Sequence, residues 1–284
     1  MIHLFKLLSH LPLRMLHGMG ACIGVLIYCL SARNRRITRQ NLQNAGLSDL
    51  VSPWQIAAHS GRGLLELPWV WLRPQTEILA KVVKVSGWQY VDDAQRMARG
   101  IIVITPHLGC FEIIAQYYAA QKPFTAMYRR PKQDWLAPIV EQGRGINVRL
   151  AGADLSGVRT LMRTLKAGGA IGMLPDQVPG NGEGVWVPFF GKPAYTMTLA
   201  GRLATTGAVP LLFCAERLPR GAGFHLNIKP FPKKLGGTPT ENATAINRAL
   251  EDLIRECPEQ YAWNYNRYKV PAGAMPPDVD AGSQ

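Results

Sequence analysis

The sequence predicts an α/β fold, with a mostly parallel central sheet flanked by helices (an α/β/α sandwich) and an N-terminal membrane-anchoring helix in front of it. Two observations carry this. Short, unbroken apolar runs rich in β-branched residues, above all IIVIT at 101–105, have the length and composition of strands buried on both faces. Such runs alternate with helix-length segments, which is the pattern of parallel strands joined by crossover helices. Composition agrees: 47% hydrophobic and 18% charged residues over 284 positions describe a chain with a sizeable core, and 28 Gly with 21 Pro suit many strand–loop–helix junctions.

Residues 11–32 form an apolar stretch interrupted by Arg14 and His17, and 15–32 is its cleanest part, about the minimum for a membrane span. Arg33, Arg35, Arg36 and Arg39 follow at once, which by the positive-inside rule keeps that flank and the rest of the chain in the cytoplasm. A cleaved signal peptide fits less well, because the basic cluster comes after the apolar segment. A buried or interfacial helix is the plain alternative to a span. Residues 37–80 read as helices: one ends at Gly46, and Ser52-Pro53 caps another that carries Glu66 among Trp54, Trp69 and Trp71.

Strands are expected at 81–87, 101–105, 124–128, 148–150, 170–176, 208–218 and 224–231. Helices are expected at 89–99, 108–121, 133–144, from a Ser156 cap to 166, at 196–206 and at 240–257. The last places Ala243, Ile246, Leu250, Leu253 and Ile254 on one face. VWVPFF at 185–190 reads as strand or loop, the Gly-rich 179–184 as a loop near the site, and the tail from Pro271 as disordered. This divides the chain into an anchor with its basic flank (1–36), an α/β domain (37–270) and a tail (271–284).

The net charge of +13 points to an anionic partner. Nucleic acid is set aside for want of any zinc, RNA-recognition or basic-zipper signature. Five scattered cysteines with no Cys-x-x-Cys pair read as reduced thiols. The dispersed histidines form no metal-ligand pattern, so no metal and no cofactor is expected.

In open α/β sheets ligands bind beyond the carboxyl ends of strands, and His107, Arg129 and Asp176 fall there. His107 and Glu112 stand in H-x4-E spacing. A carboxylate one helical turn on can point back to the imidazole, fix its tautomer and raise the basicity of the other nitrogen. These two are the candidate catalytic pair. Gly109 offers a backbone N–H for an oxyanion, and Arg129 and Arg144 are the candidates for holding substrate phosphate or the developing charge. Asp176 and Gln177 either orient a sugar or support His107. Cys110, with nothing beside it to lower its pKa, reads as a packed residue.

An ordered set of motifs extends this. Asn41-Leu42, Leu65-Glu66, His107…Glu112, Tyr128-Arg129, Gly157-Val158-Arg159, Pro175-Asp176-Gln177, Pro188-Phe189-Phe190-Gly191, Pro258-Glu259-Gln260-Tyr261 and Arg267-Tyr268-Lys269 follow one another along nearly the whole chain. The chain thereby resembles the lipid A biosynthesis (late lauroyl/myristoyl) acyltransferases of the lysophospholipid acyltransferase superfamily, although Trp263-Asn264-Tyr265-Asn266-Arg267 departs from their usual filling. The resemblance implies transfer from an acyl-acyl carrier protein to a 3-hydroxyacyl hydroxyl of a Kdo-bearing lipid A precursor. It implies the cytoplasmic face of a bacterial inner membrane as the place of work, and acyl carrier protein and an anionic glycolipid as partners. A glycerophospholipid acyltransferase using the same H-x4-E chemistry is the alternative enzyme, and a non-catalytic anionic-lipid-binding protein the alternative class.

Overall fold

The computed structural model describes residues 2–131, 133–145, 148–180 and 182–277. Helices α1 (Ile2–Ser9), α2 (Leu13–Leu30), α3 (Ala32–Ala45), α4 (Pro53–Leu72) and α5 (Gln75–Leu79) come first. An alternating region follows: β1 (Val82–Ser86), α6 (Gln89–Arg96), β2 (Ile101–Ile104), α7 (Glu112–Gln121), β3 (Phe124–Tyr128), α8 (Ala137–Gly145), β4 (Val148–Gly152), α9 (Leu155–Lys166) and β5 (Ala170–Met173). The chain then forms β6 (Gly184–Phe189), β7 (Lys192–Met197), α10 (Leu199–Ala204), β8 (Val209–Arg217), β9 (Phe224–Pro230) and α11 (Pro239–Glu256).

Seven strands make one sheet in the order β1-β9-β8-β2-β5-β3-β4. All its pairs are parallel except β8–β9. The α/β fold with a mostly parallel sheet is therefore the one expected. β2 and β5 lie in the middle and are buried throughout, each Ile or Val contributing about 1.5–3 kcal/mol by leaving water. One core on one side of the sheet includes Leu161, Leu165, Ile246, Leu250 and Ile254. The other joins α2, α4 and α7 through Leu16, Trp69, Trp71 and Ile113.

Several elements differ from expectation for local reasons. The 185–190 segment is one arm of an antiparallel hairpin, β6–β7. It turns at Phe190 (φ 47°) and Gly191 (φ 73°), so the expected helix at 196–206 shortens to α10 and Thr196 joins a strand. The cap of α9 is Asp154, whose carboxylate accepts the Gly157 N–H at 2.8 Å, with Ser156 donating to the same carboxylate. Gly46 ends α3, in the left-handed region, and Ser52 caps α4, both as expected, and Gln55 completes a capping box with Ser52. In the tail, Trp186 donates to the Met275 carbonyl at 3.0 Å. Residues 278–284 lie outside the described residues.

The N-terminal apolar segment is long and apolar enough to cross a membrane, yet it lies along α4. The crossing is backbone on backbone: a Cβ on Gly61 would collide with the carbonyl oxygen of Gly20, and one on Gly24 with that of Ala57. The glycines that dilute the hydrophobicity of α2 are its packing surface. Its opposite face leaves Met15, Met19, Leu26 and Leu30 exposed. Of the expected basic flank, Arg35 donates to the Tyr28 and Cys29 carbonyls at the end of α2 and Arg39 to the Tyr28 hydroxyl, while Arg33 and Arg36 are exposed. Gly61→Ala is expected to force the two helices apart and cost about 3 kcal/mol, at the upper end for overpacking. A thermal melt reads this directly, and an unchanged Tm would mean the crossing is loose.

Candidate active site

His107 leaves β2 through Thr105-Pro106, and Asp176 leaves the adjacent parallel strand β5 through Leu174-Pro175. In the β2–β5 register Ile104 lies opposite Met173, so His107 and Asp176 stand at the same offset beyond their strands. One Asp176 carboxylate oxygen accepts the His107 backbone N–H at 2.9 Å, and the other lies 2.7 Å from the ring Nδ1. With the carboxylate ionised, the ring proton sits on Nδ1 and the Nε2 lone pair is free to act as base. The Gln177 amide nitrogen reaches Nε2 at 3.1 Å.

Burial alone pushes the Asp176 carboxyl up. Attraction to His107, the two hydrogen bonds from it and the charge of Arg267 outweigh burial and hold it below its ordinary range. Arg267 is itself buried, donating to the Tyr195 carbonyl at 2.7 Å and to the Thr196 hydroxyl at 2.6 Å.

Glu112 stands differently from expectation. Its buried carboxylate accepts from Trp71 Nε1 at 3.1 Å and takes two donors from Arg144, the Nε at 2.8 Å and an Nη. No hydrogen bond joins it to His107 among the described residues, so the carboxylate that holds the imidazole is Asp176. The helix expected at 108–121 starts only at Glu112. Residues 107–111 form a loop in which Gly109 adopts φ 59°. This turns the Glu112 side chain toward α4 and α8. The placement also answers for Arg144, expected to hold a substrate phosphate: the buried carboxylate needs a cation, and the guanidinium is engaged there, over the Trp71 ring. Burial lowers its pKa, but Glu112 raises it by more. Arg129 is exposed and lines a cavity with His107.

The Gly109 N–H, expected to face an oxyanion, instead donates to the Gln260 carbonyl at 3.1 Å, and the Cys110 N–H to the Ala215 carbonyl at 2.8 Å. The N–H groups of Phe111 and Glu112, at the start of α7, carry no hydrogen bond among the described residues. The loop is held from below by a buried network that sequence reasoning missed. Arg217 donates to the Gly109 carbonyl at 2.7 Å and to both Glu66 oxygens at 2.7 and 2.8 Å, and His17 of α2 meets the same carboxylate. Burial pushes Glu66 up, but Arg217 and His17 bring it below its ordinary value. Burial pushes the Cys110 thiol well up, and the Glu66 carboxylate pushes it further, so it stays protonated. Glu66 stood out as a lone carboxylate in an apolar helix, a signal for a buried ion pair whose partner is far along the chain.

Two cavities meet at His107, Phe111 and Glu112. One, of about 310 Å³, runs between α2 and α4 past Gly24, Ile27, Leu64, Leu67 and Val70. The other, of about 270 Å³, runs over the sheet past Val103, Ile114, Phe124, Ala126 and Met173. An oriented histidine between two apolar chambers, at the carboxyl edge of a parallel sheet, suits the transfer of an acyl group between lipids.

The family model described as bacterial lipid A biosynthesis acyltransferase matches residues 1–270, and the chain belongs to that family. It is 28% identical over 282 residues to the lipid A biosynthesis lauroyltransferase of Escherichia coli K12, covering 95% of this chain and 90% of that protein. It is 27% identical over 278 residues to the lipid A biosynthesis palmitoleoyltransferase of the same organism, covering 92% and 87%. A lipid A biosynthesis acyltransferase of Haemophilus influenzae is 25% identical over 276 residues, covering 92% and 86%. The chain is thus an acyltransferase of lipid A biosynthesis.

Proposed function

We propose that the enzyme moves a fatty acyl chain from an acyl-acyl carrier protein thioester to the 3-hydroxyacyl hydroxyl of a Kdo-bearing lipid A precursor, with His107 as general base. The observation that carries this reading is the imidazole whose Nδ1 is held by Asp176 and whose Nε2 opens where the two apolar chambers meet. The acceptor hydroxyl displaces the Gln177 amide and gives its proton to Nε2 as its oxygen bonds to the thioester carbonyl carbon. The N–H groups of Phe111 and Glu112 receive the oxyanion, and the Glu112–Arg144 pair holds the start of α7 against α4 and α8. Collapse breaks the C–S bond, and the imidazolium returns the proton to the departing thiolate. No metal or cofactor enters this sequence.

The same reading places the enzyme at the cytoplasmic face of a bacterial inner membrane. The exposed apolar face of α2, together with Ile2, Leu4 and Leu7 of α1, would enter the bilayer. A full crossing would drag Arg62 and His59 of α4 into hydrocarbon, because α2 and α4 are joined along their length. An interfacial seat avoids that cost.

The test is an acyl-transfer assay on the purified protein with carrier thioesters of graded chain length and the Kdo-bearing tetraacylated disaccharide. Wild type should form the acyloxyacyl ester, and His107→Ala should lose two or more orders of magnitude in kcat, as expected for deleting a general base. Transfer only to glycerophosphate lipids would overturn the acceptor, and an active His107→Ala the base.

A further inference from the structure

A third cavity, of about 640 Å³, opens beside the first chamber and shares His59, Arg217 and Gln260 with it. Its wall carries Arg14 of α2, Arg62 of α4 and Arg220 of the turn after β8, together with Glu216 and Glu259. Arg217 is engaged by Glu66, and Glu216 stands 3.7 Å from His225. Arg14, Arg62 and Arg220 have no hydrogen-bond or ion-pair partner among the described residues, and the remaining acid in the wall is Glu259. The recess therefore concentrates positive charge that the protein itself does not neutralise.

The fold holds this arrangement in place. Arg220 adopts φ 56°, which a side chain rarely does, and the following Gly221 packs so closely on Arg14 that a Cβ would come within 2.8 Å of its Cα. The turn is thereby docked on the start of α2, with Arg220 beside Arg14. Burial, then the charge of Arg217, pushes the half-buried Arg62 guanidinium down, and burial with Arg62 and Arg217 pushes His59 down to about 3. An arriving anion would relieve this mutual repulsion. A ligand that suits both the recess and the apolar chamber it adjoins is an amphiphile with an anionic head.

We propose that this recess binds a phosphate group of the acceptor lipid through Arg14, Arg62 and Arg220, while the chain to be acylated passes over the shared wall to His107. This rests on the proposed acceptor and adds the part of the protein that recognises its head. Arginine's planar fork suits a phosphate monoester, and the recess is large enough for a sugar phosphate.

The test uses the full chain with Arg62→Ala/Arg220→Ala, and Arg33→Ala/Arg36→Ala as a control of equal charge outside the recess. With the phosphorylated acceptor, the recess variant should raise KM about a hundredfold, roughly tenfold per charge-assisted contact, with kcat within twofold. With the same acceptor stripped of phosphate it should match wild type. An unchanged KM, or an equal rise for both acceptors, would overturn the subsite. Binding of His107→Ala protein to phosphatidylcholine vesicles doped with phosphatidic acid gives a readout free of catalysis. The recess variant should weaken it far more than the control does. Equal weakening would overturn the subsite, as would binding of inorganic phosphate with no change toward the vesicles. If the wild type acylates nothing while the vesicle result holds, the proposed acceptor falls and the anion site stands.

Discussion

Asp176→Asn is expected to lower kcat by about three orders of magnitude while leaving the fold and the KM for the acceptor nearly unchanged. The buried carboxylate accepts both the His107 backbone N–H and the ring Nδ1–H. An amide of the same shape can present its NH₂ to the ring, which moves the imidazole proton to Nε2 and removes the lone pair the reaction uses. Steady-state kinetics beside a thermal melt separate this from misfolding. A loss below tenfold would return the supporting role to Glu112, whose replacement by Gln would then carry the larger effect. Asp176 stays ionised through the neutral range because its folded pKa is depressed, so any loss of rate near neutrality has to come from another group.

Glu66→Ala should be the most damaging substitution for stability, costing about 3–5 kcal/mol, because it leaves the buried Arg217 without its counter-charge and His17 without its partner. Equilibrium unfolding in urea measures it, and a cost below about 1 kcal/mol would mean that water reaches the pair. The pH dependence has a definite sign. The folded pKa of Glu66 lies below the ordinary 4.5, so its contribution is complete above that value and is lost as pH falls through the folded one. The stability gap between wild type and Glu66→Gln therefore narrows as the solution is acidified below about 4.5. Arg217, which holds the Gly109 carbonyl, would lose its own anchor, so the loop carrying His107 and Glu112 should loosen and surviving protein should show a lower kcat as well.

Much of this was legible in the sequence, and the rest was hidden for identifiable reasons. β2 and β5 announced themselves because strands buried on both faces have no polar register to obscure them. That legibility extended to His107 and Asp176 as strand-end residues and to support of His107 as one of two roles for Asp176, but which role it takes depends on which strands are neighbours and on register. Neither is written in local pattern. The H-x4-E spacing was visible, yet it implied a continuous helix, and the left-handed Gly109 breaks that geometry and sends Glu112 to Arg144 and Trp71. The β6–β7 hairpin was missed because its turn is Phe190-Gly191, where an Asn-Gly or Asp-Gly pair would have marked it. The Glu66–Arg217 pair spans 151 positions, a separation at which one-dimensional reading sees two isolated charges.

The glycine contact between α2 and α4 bears on how this protein can be handled. An N-terminal apolar helix invites removal to obtain a soluble enzyme, on the view that it is a tether and the catalytic part begins after it. Here that helix is a wall of the building. Cutting it away would strip His17 from Glu66 and open one side of the chamber that Gly24 and Ile27 line. It would also lay bare the face of α4 that carries Gly61. Detergents or lipid discs that cover the outer face of α2, without prying it from α4, are the conditions under which the active site stays whole.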